Sequence, residues 1–156
     1  MKKIFNLLLV SLFTISIAAA QTPAEQHKKH YNLDKSGLAI EGYDPVAYFT
    51  ANKAQEGNKE IALTTEGVTY RFTSAQNRDL FKSDPAKYQP QYGGWCAYAM
   101  GASGENVDID PETFKLLNGK LYLFYNKFFN NTKKSWNKAE ADLKSKADAN
   151  WAKIDR

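Results

Sequence analysis

From Ile4 to Ile17 the chain is apolar except at Asn6, Ser11, Thr14 and Ser16, and the run closes on Ala18-Ala19-Ala20. Lys2-Lys3 in front of such a block and small residues behind it predict a cleaved secretory leader over residues 1–20. Residues 21–32 are polar with neither a strand nor a helix period, which predicts a flexible lead-in to a single domain over 33–156. Within that domain Ala39 to Pro45 reads as a turn and Val46-Ala47-Tyr48-Phe49 as a short strand.

Two hairpins follow from alternation on either side of turn residues. The first pairs Glu60–Thr64 with Val68–Phe72 across Glu66-Gly67, and the second pairs Phe114–Leu117 with Lys120–Tyr125 across Asn118-Gly119. The second return strand is apolar on both faces, Leu121, Leu123 and Tyr125 against Tyr122 and Phe124, which requires cover on both sides. Ser74 is placed to cap a helix that carries Leu80 and Phe81 inward and stops before Pro85. Trp136, Ala139 or Glu140, Leu143, Ala147 and Trp151 keep helical spacing and predict one long helix from Lys133 to about Ile154. These elements predict a small α+β domain, an antiparallel sheet built from hairpins with a short helix and a long C-terminal helix packed on it.

Loss of the leader leaves 136 of the 156 residues, enough for one domain. Of the 21 Lys and Arg, Lys2 and Lys3 leave with it, so 19 basic residues face 17 acidic ones. A near-balanced charge in an exported chain argues against nucleic acid as a partner. No later stretch is apolar enough to span a bilayer, so the processed chain is expected in the periplasm or medium and not in the membrane. Cys96 is the one cysteine, which excludes an internal disulfide and leaves a thiol that is either buried or reactive.

The candidate chemistry gathers in Gln91 to Gly104, where Gly93, Gly94, Gly101 and Gly104 interrupt an apolar run around Trp95 to Met100. Chain of that mixture passes close to other backbone or lines a pocket. Cys96 and Met100 are soft donors four residues apart, suited to copper, and His27 and His30 could complete a copper or zinc site from the lead-in. Tyr43, Tyr92, Trp95 and Tyr98 foremost, with Tyr48, Tyr70, Tyr122 and Tyr125, could instead line a pocket for a flat or apolar ligand. Each set has an ordinary alternative, core packing for the first pair and the aromatics and a solvated tail for the histidines. Asp108, Asp110 and Glu112 lack the spacing of a calcium loop, and Asp44 before Pro45 and Asp110 before Pro111 read as turn formers. With both histidines in the lead-in, no catalytic triad or phosphate loop is visible, so an enzyme is not expected.

Asp44-Pro45-Val46, Gly67-x-x-Tyr70-x-Phe72, Ser74, Phe81 and Asp84-Pro85-x-x-Tyr88 together resemble the YHS domain. The resemblance covers about residues 43–88, and the Tyr92–Ala97 and Gly119–Tyr125 segments are similar to its exported, stand-alone bacterial members. It implies a small metal-associated module of the kind found beside copper-transporting ATPases and in some multicomponent oxygenases. In metal-binding members a cysteine follows Asp-Pro-Val and a further pair sits where the strand passes into the helix. The corresponding positions here are Ala47, Thr73 and Asn77, none of which supplies a thiolate.

The expected function is therefore a non-enzymatic exported domain that binds a small ligand or a metal ion through the Tyr92–Gly104 segment. A structural or protein-interaction module, or an accessory to an extracytoplasmic redox or metal-handling enzyme, stands as the alternative.

Overall fold

The computed structural model describes residues 28–154. The predicted leader and His27 lie outside them. Helices are α1 (Ala47–Thr50), α2 (Ala75–Ser83), α3 (Pro85–Tyr88), α4 (Ala97–Ala102), α5 (Thr132–Lys138) and α6 (Glu140–Ile154). Strands are β1 (Asn58–Thr65), β2 (Val68–Phe72), β3 (Asp110–Leu117), β4 (Lys120–Phe124), β5 (Asn126–Lys127) and β6 (Asn130–Asn131). The α+β reading holds, with the strands arranged as three antiparallel two-stranded sheets, β1-β2, β3-β4 and β5-β6.

Each sheet turns on two residues of positive φ. Glu66 and Gly67 have φ of 50° and 79°, and Asn118 and Gly119 have 51° and 71°. That is the pattern of the type I′ turn, whose twist matches the twist of the strands it joins. The third hairpin places Phe128 and Phe129 at the same two positions, with φ of 52° and 64°. A bulky side chain in the left-handed region crowds its own carbonyl and costs about 1–2 kcal/mol per residue.

Ser74 caps α2 as its sequence position predicts, its Oγ accepting from Asn77 N at 3.1 Å. Asp84 then caps α3, with Pro85 in the first turn, where a missing N–H costs nothing. Val46 is the cap and Ala47–Phe49 the first residues of α1, not the predicted strand. Asp44 Oδ1 accepts from Val46 N and Ala47 N, and Thr50 N and Ala51 N reach back to the carbonyls of Val46 and Ala47, so the apolar run closes into a helical turn. The predicted single C-terminal helix is broken at Ala139, whose φ of −144° and ψ of 38° separate α5 from α6. Ala139 N bonds Trp136 O, a tight final turn, and Glu140 restarts the helix while accepting from Trp136 Nε1 at 3.1 Å.

The core has two parts with β4 between them. Leu121 and Leu123 join Val68, Tyr70, Phe72 and Phe81 on one side, and Tyr122 and Phe124 join Tyr92, Met100, Trp136 and Ala147 on the other. These four β4 side chains are buried, as the two apolar faces require, and Lys120 at its start is exposed. Helix α4 lies hard against α6, because a Cβ on Gly101 would meet Leu143 O at 2.4 Å and only glycine permits that approach. The chain joins the domain ahead of the predicted start at residue 33, since Asn32 N donates to Gly93 O at 2.9 Å and Trp95 Nε1 donates to His30 O at 2.8 Å. Among the described residues no helix is long and apolar enough to cross a membrane.

Candidate functional site

The glycine-interrupted segment singled out in the sequence folds as a 3-10 turn, Gln91–Gly94, followed by α4. It lines two clefts. One, of about 450 Å³, has Cys96, Ala99 and Val107 among its lining residues, with Tyr98 and Tyr125 as aromatic walls. Ser103, Glu105, Asn130 and Thr132 supply its polar groups. The other, of about 360 Å³, lies between Tyr92, Trp151, Tyr31 and Gln89, with Asp148 at its side. A third, smaller cleft of about 250 Å³ is formed elsewhere by Leu38, Ile40 and Ile109 with Asp34, Glu41 and Asp108.

Cys96 is fully buried and its sulfur is engaged twice. Tyr125 N donates to Sγ at 3.3 Å, and Sγ lies 3.4 Å from Thr132 Oγ1. The single Thr132 hydroxyl proton goes to Tyr125 O at 2.9 Å, so the thiol is the donor in the sulfur–hydroxyl contact. Both capacities of a neutral thiol are thereby used by the fold, and a metal at Sγ would have to displace them. Met100 is equally buried but packs in the second core cluster, while Cys96 packs in the first. The element of His30 that is fixed is its carbonyl, held by Trp95. Among the described residues no group of three or more His, Cys, Asp or Glu side chains is disposed to hold a metal ion.

The four aromatic candidates separate. Tyr98 lines the cleft beside Cys96, and Tyr92 lines the one beside Trp151. Tyr92 sits at φ 57° and donates its hydroxyl to Asp148 Oδ1 at 2.8 Å. Burial first, and then that bond, push its phenol well above the ordinary tyrosine value. Trp95 clamps the lead-in against the domain and lines neither of these clefts. Tyr43 packs beside the first core cluster, away from both, its phenol raised by burial and then by Glu112.

At the positions where the resemblance places metal cysteines, the structure puts a hydrogen-bonded node. The buried Asp44 carboxyl accepts from Thr73 N and Thr73 Oγ1, both at 2.8 Å, and from Asn77 Nδ2 at 2.7 Å. Asn77 Nδ2 also reaches Thr73 Oγ1 at 3.1 Å. Thr73 and Asn77 are thus brought together, beside Ala47, whose N donates to the same carboxyl at 3.3 Å. The site geometry is compact, and its chemistry is that of oxygen and amide groups bonded to one another.

Sequence reasoning includes Tyr125 among the pocket aromatics but misses Thr132 as a cleft residue, because it reads as a helix start. It also misses Phe128 and Phe129, which stand fully in solvent at 90% and 110% relative exposure. Compared with family models, with curated proteins and with solved structures, the chain finds no match in any of the three.

Proposed function

We propose that this protein is a non-enzymatic, exported YHS-like domain that takes a small, flat, largely apolar molecule into the cleft between Tyr98 and Tyr125. The observation that carries this reading is the cleft itself. Its volume of about 450 Å³ falls in the range of small-molecule sites, and Tyr98, Tyr125, Ala99 and Val107 in its lining offer flat apolar contact. Ser103, Glu105 and Asn130 provide the few polar groups that would fix orientation. The leader-like apolar block supports export. An organic ligand fits better than copper or zinc, because the Cys96 sulfur is already bonded and Met100 lies in the other core cluster.

The test is a titration with N-phenylnaphthylamine, a neutral flat probe whose emission rises in apolar surroundings. The unmodified chain is expected to bind it saturably at one site. Ala102→Trp, which fills the exposed edge of the cleft, is expected to weaken binding by roughly tenfold or more with an unchanged far-ultraviolet circular dichroism spectrum. Absence of saturable binding, or equal binding by the variant, would remove the cleft reading. Stoichiometric copper or zinc in protein taken from its own cells, lost in Cys96→Ala, would replace it with the metal reading.

A further inference from the structure

We propose that the Phe128-Phe129 hairpin tip is a finger that inserts into an anionic lipid surface. Both rings are wholly exposed, while every other large apolar side chain among the described residues is at least partly covered. Their backbone holds them there. In the other two hairpins the second turn position is glycine, the residue that adopts positive φ without strain, whereas here two phenylalanines take both positions. Strain that persists at an exposed tip marks a place where the side chains, and not the turn, are being used.

The charge around the tip names the surface. From Thr113 to Ala139 the sequence contains six lysines and no aspartate or glutamate. Lys115 is taken by Glu140 and Asn137, and Lys133 by Phe114 O. Lys127, beside the tip, and Lys134, in the first turn after the hairpin, are exposed with no ion-pair partner among the described residues. Glu105, on the rim of the adjoining cleft, and Asp110, joined to Asn126 of β5 through Thr113, are the opposing charges nearest to the tip. Projecting aromatic rings flanked by lysines match the interface of a bilayer, where rings enter the boundary of headgroup and acyl chain and ammonium groups meet phosphate. A two-residue point also suits a fluid surface better than a protein interface, which needs roughly 800 Å² of complementary area on each side. Such docking is contact with one leaflet and needs no spanning helix. It is independent of the cleft beside Tyr98.

The experiment is vesicle flotation of the whole protein in the form recovered from its cells, with phosphatidylcholine vesicles and with vesicles that also contain phosphatidylglycerol. The reference protein is expected to float with the anionic vesicles, less so as salt is raised. The double variant Phe128→Asn, Phe129→Gly installs the residues that this turn favours, so it should lose roughly tenfold or more in vesicle affinity with no fall in thermal midpoint. Lys127→Glu with Lys134→Glu should weaken binding to the anionic vesicles in particular. Every variant keeps the same N-terminal sequence, so any lipid affinity of the apolar leader cancels. Unchanged flotation of the tip variant would overturn the proposal, as would no binding to either vesicle. It would equally fall if, in sedimentation without lipid, the tip variant abolished self-association of the chain, since the rings would then serve a contact between proteins.

Discussion

The side-chain amide of Asn77 donates to the carboxyl of Asp44 at 2.7 Å, across a sequence separation of 33 residues. With Val46 N, Ala47 N, Thr73 N and Thr73 Oγ1 bonded to the same carboxyl, one buried side chain ties the start of α1 to the junction of β2 and α2. Asp44→Ala would leave Val46 N and Ala47 N buried and unpaired, each at a cost of about 1–3 kcal/mol where relaxation does not rescue it, while the Thr73 and Asn77 donors reach water. The expected loss is about 2 kcal/mol or more in urea denaturation. A loss below about 1 kcal/mol would show that the node is not what joins these elements.

Cys96 should behave as a structural thiol. In the native protein its reaction with Ellman's reagent is expected to be slow, limited by opening of the Tyr125–Thr132 contacts, and to become immediate in denaturant. Reaction at the speed of a free thiol in native buffer would mean that the sulfur is presented to the cleft and open to chemistry.

Phe128→Asn with Phe129→Gly should make the protein more stable. Relief of left-handed strain at two bulky residues is worth about 1–3 kcal/mol, read as a higher urea midpoint at unchanged slope. A fall in midpoint would mean that the rings stabilise the native state through contacts that their exposure does not reveal.

The pH dependence should carry the signature of Glu140. Lys115 Nζ, and to a lesser degree Trp136 Nε1, hold this carboxyl below the ordinary glutamate value. A depressed folded value means that the unfolded chain binds the proton more readily, so the stabilisation is complete above the unfolded value and drains as pH falls through the folded one. Both side chains are close to a third exposed, which limits the interaction to about 1 kcal/mol. Glu140→Gln should therefore trail the reference protein at pH 7 and converge with it in acid. A gap that stays constant with pH would place the effect in packing.

The parts of the fold that were legible in the sequence are those where a residue type has one local use. Glu66-Gly67 and Asn118-Gly119 announced their turns because those positions need positive φ, and Ser74 announced a helix because its hydroxyl replaces a missing backbone partner. Val46–Phe49 misled because four apolar residues carry no period, and the helical outcome depends on Asp44 being held from Thr73 and Asn77. The break at Ala139 was invisible, since alanine favours helix and the contacts that settle it come from Trp136 and Lys115. Phe128-Phe129 was hidden for the opposite reason, as paired aromatics read as strand and not as turn. Of the candidate site, the segment was legible from its glycines and Tyr125 from its place among the aromatics, while Thr132 was not, because it reaches Cys96 only through the fold.

Strand β4 sends Leu121 and Leu123 into one core cluster and Tyr122 and Phe124 into the other, so it acts as a party wall between two rooms. Neither room keeps its enclosure once that wall is gone, and the wall has no lodging outside them. A substitution such as Leu123→Ala, which touches only the first cluster, should therefore lower the melting of the Trp136 environment in the second by the same number of degrees. The aromatic signal of one core is a thermometer for the other.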